Sequence, residues 1–169
     1  GSQTEIIFDG ASLVFDKDAN LCCQLSQFKE ELKEIILKDD GTIDSPVIEP
    51  AASVPGKLLE PLYFNPELNI SQVYEAIILG IKDYFSKMGF TKAIIGSSGG
   101  IDSAVTIALA CEALGKENVR SILMPSEYST SHSVSDAEKL SKNLGNPYDI
   151  IPIKNIYSQF LEELKPVFK

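Results

Sequence analysis

From residue 70 to residue 169, segments with helical spacing alternate with short strand-like segments, and this alternation limits the fold more than any other feature. Ile70, Val73, Tyr74, Ile77, Ile78, Ile81, Tyr84, Phe85 and Met88 recur at i, i+3, i+4 and i+7. They form one stripe of an amphipathic helix, with Gly89 placed for the left-handed turn that ends it. Ala93-Ile94-Ile95-Gly96 follows, a short apolar run typical of a buried parallel strand. Ser103–Leu114 is apolar nearly all round and predicts a buried helix stopped at Gly115. Val119–Met124 predicts the next strand. Ser135 and Glu138 have the spacing of a capping box, predicting a helix that runs to about Leu144 and stops at Gly145. Tyr148–Ile153 predicts a third strand, and Asn155 is placed to cap a last helix carrying Ile156, Phe160, Leu161 and Leu164. The order α-β-α-β-α-β-α implies an α/β fold: a parallel sheet with right-handed crossovers and helices on both faces.

The first 69 residues read differently. Glu5–Phe8 and Ser12–Phe15 flank Asp9-Gly10, a strong hairpin signal, and Asp16–Asn20 forms a second turn into Leu21–Leu25. The pattern predicts a β-meander. Residues 26–38 fit either element: Phe28, Leu32, Ile35 and Ile36 have helical spacing, whereas Glu34–Lys38 suits a strand. Residues 39–69 hold five of the nine prolines (Pro46, Pro50, Pro55, Pro61, Pro66) together with Gly41 and Gly56. Proline removes amide donors and fixes φ, so this stretch reads as a semi-extended linker. The expected division is therefore 1–38, a linker over 39–69, and an α/β domain over 70–169.

Charge narrows the partners. Residues 1–69 carry a net −8 and residues 70–169 a net −1, within a total of −9. Neither part has the cationic surface on which nucleic-acid affinity rests, so no nucleic acid is expected as a partner. No apolar run reaches the ~20 residues of a membrane span, and no basic region followed by an apolar run opens the chain, so neither membrane nor secretory leader is expected. The three cysteines, Cys22, Cys23 and Cys111, are too few for a disulfide scaffold, and a reducing cytoplasm is the simplest compartment.

The chemistry is concentrated in Gly96-Ser97-Ser98-Gly99-Gly100-Ile101-Asp102-Ser103, between the first strand of the sheet and its buried helix. Open α/β sheets bind ligands at this place, outside the carboxyl ends of their strands. Gly99 and Gly100 lack Cβ, so backbone amides can approach an anion and adopt positive φ. The hydroxyls of Ser97, Ser98 and Ser103 can donate to phosphate oxygens, and the following helix points its positive end there. Asp102 repels a phosphate unless a divalent cation bridges the two, which suits Mg²⁺ and its preference for hard oxygen ligands. The lysine of a Walker loop is absent, as is the Gly-x-Gly-x-x-Gly dinucleotide fingerprint.

Ser98-Gly99-Gly100-Ile101-Asp102-Ser103 resembles the pyrophosphate loop of the ATP pyrophosphatase superfamily, whose domains have an adenine nucleotide α-hydrolase-like fold. The resemblance implies cleavage of ATP between its α and β phosphates, adenylation of an acceptor oxygen and displacement of AMP by a nucleophile. The loop alone does not choose the acceptor. The flanks narrow it. Asp83-Tyr84-Phe85-Ser86-Lys87-Met88-Gly89-Phe90, Leu123-Met124-Pro125-Ser126-Glu127-Tyr128-Ser129-Thr130 with Ser133 and Asp136-Ala137, Asn143-Leu144-Gly145, and Ile151-Pro152-Ile153 resemble the NAD synthetase family. Residues 2–12 resemble the closing strands of a nitrilase-type glutaminase domain. Together they resemble the glutamine-dependent NAD synthetase family.

That resemblance implies that residues 1–38 close a glutaminase domain and that residues 70–169 begin an NAD synthetase domain. Gly96 to Ser103 would hold ATP, and Asp102 would coordinate Mg²⁺. The substrates of the whole enzyme would be deamido-NAD and glutamine, and the assembly a homo-oligomer. It also implies a Glu-Lys-Cys triad before these residues and further acidic and basic residues after them. The chain is thus expected to be a fragment that makes no NAD alone, with Gly1-Ser2 either native or a cloning remnant. Two other functions fit the loop: another pyrophosphate-loop ligase, such as a guanylate synthetase, and a non-catalytic nucleotide-binding module.

Other residues have plainer readings. Cys22 and Cys23, on a predicted strand with no histidine near, read as core, as does Cys111. His132, the lone histidine, reads as a solvated loop or helix-entry residue. Tyr84 and Phe85 read as packing. Ser126, Tyr128 and Ser129 follow the second strand on the ligand side and are candidates to line the nucleotide pocket.

Overall fold

A computed structural model describes residues 2–3, 6–44 and 66–168, which fall into two units, Gly1–Gly80 and Ile81–Lys169. In the first, three antiparallel ladders form: β1 (Ser2–Gln3) with β2 (Ile6–Ile7), β3 (Leu13–Phe15) with β4 (Leu21–Gln24), and β5 (Ile36–Leu37) with β6 (Ile43–Asp44). The Asp16–Asn20 turn joins β3 to β4. Its Asp16 carboxylate accepts from the amides of Asp18 at 2.9 Å and Asn20 at 2.8 Å. The Asn20 side chain, then these amides, hold that carboxyl below its ordinary pKa. Cys23 is buried on β4 opposite Val14, as core packing requires.

Asp9-Gly10 does not pair β2 with β3. Gly10 (φ +80°) bridges Gln27 instead, and the Phe28 amide donates to the Asp9 carbonyl at 2.7 Å, so residues 27 and 28 take the turn's backbone groups. The segment between is not helical. Phe28 sits at φ +55°, which no right-handed helix accepts, and Leu32 is 98% exposed, so the helical stripe has nothing to bury it. Two elements also fall inside the span read as linker. One is β6; the other is the start of α1 (Pro66–Met88), four residues ahead of the periodic stripe. Pro66 occupies the first helical position, where its missing amide hydrogen costs nothing. Residues 45–65, the rest of that span, lie outside the described residues.

The second unit holds a parallel sheet in the order β7 (Ala93–Gly96), β8 (Val119–Leu123), β9 (Tyr148–Ile150), with Ile95, Ser121 and Tyr148 abreast. α2 (Ile101–Leu114) and a 3-10 turn (Lys116–Asn118) connect the first two strands. α3 (Ser131–Leu144) connects the second pair, and α4 (Lys154–Leu164) follows. Ile107, Ala110 and Cys111 of α2 pack on Val119, with Ala93, Ile95, Leu114, Leu140 and Leu144 around them. Burying Ile107 alone contributes roughly 2 kcal/mol. Burial also pushes the Cys111 thiol above its ordinary pKa, so it packs as an apolar group rather than a nucleophile. Gly115 (φ +87°) and Gly145 (φ +74°) end α2 and α3 where the sequence places stops.

A buried amide pins the far edge of the sheet. Asn146 Nδ2 donates to the Ser121 hydroxyl at 2.9 Å and to the Val119 and Pro147 carbonyls, each at 3.2 Å. On the other side of β8, Arg120 and Asp149 pair at 2.5 Å while half exposed, an arrangement of small energetic weight.

Two helix caps differ from expectation. Thr130, not Ser135, caps α3, its side chain accepting from the Ser133 amide, and Glu138 is held elsewhere: it accepts from Tyr148 Oη at 2.8 Å and from Lys142 at 3.5 Å. Asn155 lies inside α4, whose N-cap is Ile153, fixed by the hydrogen bond its amide donates to the Pro125 carbonyl at 3.0 Å. No helix among the described residues is long and apolar enough to cross a membrane.

Candidate functional site

The end of β7 delivers the chain into the loop. The Ser97 amide donates to the Ile122 carbonyl at 2.9 Å, extending the β7–β8 ladder one residue beyond the strand. The ladder then stops, because Gly99 turns to φ +81° and Gly100, the N-cap of α2, offers no side chain to cap the helix. The first amides of a helix have no acceptor within it. Those of α2 therefore sit at the loop without a side-chain cap, an anion-seeking arrangement when combined with the helix dipole.

The serines organise the loop. Ser103 Oγ donates to the Gly100 carbonyl at 3.0 Å and accepts from the Ser98 amide at 3.3 Å. Ser98 Oγ lies 3.0 Å from Ser103 Oγ and accepts from the Gly100 amide at 3.3 Å. These bonds tie both ends of the turn to the first turn of α2. Ser97 is different: it is only 8% exposed, and its hydroxyl has no partner among the described residues. Leaving a buried hydroxyl unpaired costs on the order of 1–3 kcal/mol, so Ser97 is a poor choice for packing and a good one for holding a polar ligand.

A cavity of about 370 Å³ opens beside the loop. Gly96, Ser97 and Ser98 line one side, Leu123, Met124 and Pro125 at the carboxyl end of β8 another, and Ser129, Ser133 and Val134 a third. Its apolar and hydroxylic walls suit a flat heterocycle joined to sugar and phosphate. Of the three residues expected after the second strand, Ser129 lines this cavity. Ser126 and Tyr128 are not among its walls. The Ser126 amide instead donates to Ser129 Oγ at 2.9 Å, and Tyr128 stacks edge-on against Tyr157 at 5.9 Å. The Tyr157 hydroxyl, and after it the Glu127 carboxylate, push Tyr128 up to about 12, so this phenol is no base at neutral pH.

Val134 is a wall residue that the sequence did not point to, and Ser133, which carries part of the family resemblance, was not expected as a wall. Gly99 explains Ser133's place. A Cβ built on Gly99 would lie 2.2 Å from the Ser133 carbonyl oxygen, so only glycine lets the loop rest on the first turn of α3. Ile101 and Asp102 are exposed, on the first turn of α2. His132 is exposed on α3, as expected of a solvated helix-entry residue. Tyr84 and Phe85 form an aromatic cluster with Phe90, with centroids 6.0–6.3 Å apart.

No group of three His, Cys, Asp or Glu side chains among the described residues could cage a metal ion. Asp102 is a single carboxylate beside the loop. One carboxylate plus substrate phosphates and waters is a donor set that Mg²⁺ accepts, so these residues fit a metal that arrives with its nucleotide.

A parallel sheet whose first strand ends in a glycine–serine loop, resting on the helix beyond the second strand, defines an α/β domain of the pyrophosphate-loop class. The chain belongs to the NAD synthase family, whose model matches residues 73–168. It is 37% identical to the glutamine-dependent NAD(+) synthetase of Thermotoga maritima over 99% of its own length and 32% of that protein's. It is 39% identical to the enzyme of the same name from Synechocystis over 100% and 28%. A solved structure of glutamine-dependent NAD+ synthetase from Acinetobacter baumannii, in complex with ADP, superposes with a TM-score of 0.81 at 32% identity, over 97% of this chain and 28% of that one. The chain thus spans about a third or less of the relatives it matches.

Proposed function

We propose that this chain supplies the ATP-binding part of an enzyme that amidates deamido-NAD to NAD, with ammonia released from glutamine by a glutaminase domain of which residues 1–38 are the end. Residues 39–69 then link that domain to the synthetase domain over 70–169. The observation that carries the reading is the loop itself. The buried, unpartnered Ser97 hydroxyl, the uncapped start of α2 and the cavity they share form a place for a nucleotide triphosphate.

Gly96 to Ser103 hold ATP. The Gly99 amide and the first amides of α2 face the β and γ phosphates, the hydroxyls of Ser98 and Ser103 hold the turn that presents them, and Ser97 takes a polar group deeper in the cavity. Asp102 coordinates Mg²⁺, which when bound neutralises phosphate charge. The substrate carboxylate attacks the α phosphorus, the bridging oxygen leaves with pyrophosphate, and the product is an acyl adenylate. Ammonia then attacks the acyl carbon, AMP leaves with the carboxyl oxygen, and the amide remains. The loop's contribution to the first step is mainly charge stabilisation of the departing pyrophosphate by donors already in place. The full-length enzyme works in the cytoplasm as a homo-oligomer, without nucleic acid or membrane as partner, and these 169 residues alone form no NAD.

Acceptor-dependent release of pyrophosphate by the natural full-length polypeptide tests the reading. Deamido-NAD should stimulate release and xanthylate should not; the reverse result would assign a guanylate-forming ligase. Steady-state NAD formation by the 169-residue chain would refute its dependence on the remaining domains.

A further inference from the structure

We infer that Thr130 is a positioning residue for the phosphate loop, acting through the first turn of α3 on Gly99; this rests on the reading of Gly96–Ser103 as the ATP site. Gly99 lies against main chain, not against a side chain. A Cβ there would fall 2.2, 2.7 and 2.8 Å from the carbonyl oxygen, carbonyl carbon and Cα of Ser133. A flexible side chain can yield to such a contact, but helical backbone cannot without moving its whole turn. The position of Ser133 therefore sets the position of Gly99.

Thr130 fixes Ser133. Its Oγ1 accepts from the Ser133 amide at 3.2 Å and shares a hydrogen bond with Ser133 Oγ at 2.8 Å. Its carbonyl accepts from the Val134 amide at 3.4 Å. Thr130 is itself exposed and is not a wall of the cavity, whereas Ser129 before it and Ser133 and Val134 after it are. It therefore shapes the site without meeting the nucleotide. The Ser98–Ser103 bonds anchor the loop to α2. The Gly99–Ser133 contact holds it against α3, and the Thr130 hydroxyl holds that turn of α3 in place.

Three variants of the natural full-length polypeptide test this. Thr130→Val keeps the branched shape and removes the hydroxyl, Thr130→Ser keeps the hydroxyl, and Gly145→Ala strains the opposite end of α3, where φ is +74°. Thr130→Val should raise the KM for ATP three- to tenfold with kcat and the KM for deamido-NAD within twofold, and Thr130→Ser should restore the ATP KM. Gly145→Ala should lower Tm and leave the ATP KM unchanged. Amide exchange at Gly99 and Gly100, read by mass spectrometry, should quicken in Thr130→Val and not in Gly145→Ala. Unchanged exchange in Thr130→Val, or an equal rise in ATP KM in Gly145→Ala, would overturn the positioning role. A wild-type protein with no use for ATP would instead overturn the reading of the loop, whatever the exchange shows.

Discussion

Ser98 and Ser103 stand with their hydroxyl oxygens 3.0 Å apart, closing the glycine turn onto the first turn of α2. The pair leaves the loop ordered before any phosphate enters, and pre-organised donors are the ones that contribute most to charge stabilisation. Ser103→Ala removes the acceptor of the Ser98 amide and the donor to the Gly100 carbonyl. We expect ATP affinity, measured by calorimetry, to fall about tenfold, equivalent to ~1.4 kcal/mol, with little change in Tm because both partners can turn to water.

Asp102→Asn keeps the size of the side chain and removes its charge. Turnover by the full-length protein should fall below detection. Affinity for Mg²⁺-ATP should drop relative to metal-free ATP, because the lost carboxylate served the cation and repelled the phosphates. A Mg²⁺ titration of ATP binding in wild type and variant gives the comparison; identical curves would remove Asp102 from the metal site.

The α/β half was legible because its signals are local and agree with one another. Ala93 to Ile95 is a short apolar run, α2 is apolar nearly all round, and Gly115 and Gly145 stop their helices at positive φ. The start of α3 was not. Ser129, Thr130, Ser131, Ser133 and Ser135 all have hydroxyls suited to a cap. Which one serves is decided by where the turn after Pro125 delivers the chain, and the Ser135–Glu138 spacing misled because Tyr148, distant in sequence, takes the carboxylate. The same shift hid Ser133 as a wall of the cavity. In the first unit, Asp9-Gly10 has the composition of a hairpin turn, but Gln27 and Phe28 compete for its backbone and win.

Asn146 is a structural test of the sheet. Asn146→Ala leaves the buried Ser121 hydroxyl and the Val119 carbonyl without its amide. The expected loss of stability is about 1–3 kcal/mol by denaturant titration, with the ATP KM unchanged, since neither group faces the cavity.

Glu138 gives a pH dependence of known sign. The Tyr148 hydroxyl, followed by the Lys142 ammonium, holds its carboxyl below the ordinary glutamate value. A depressed folded-state pKa stabilises the fold above the unfolded value and loses that stabilisation as pH falls through the folded one. Wild type should therefore be more stable than Glu138→Gln at pH 7, and the two should converge as pH falls below the ordinary carboxylate range. Thermal melts of both from pH 7 to pH 3 measure it, and a gap that widens toward acid would contradict the assignment.

A crystal structure of the full-length protein with Mg²⁺ and a non-hydrolysable ATP analogue tests the central claim most directly. We predict the terminal phosphates on the Gly99 amide and the first amides of α2, the cation at Asp102 and a polar atom of the nucleotide within hydrogen-bond distance of Ser97 Oγ. A nucleotide seated elsewhere on the sheet, with the loop and Ser97 untouched, would contradict the account.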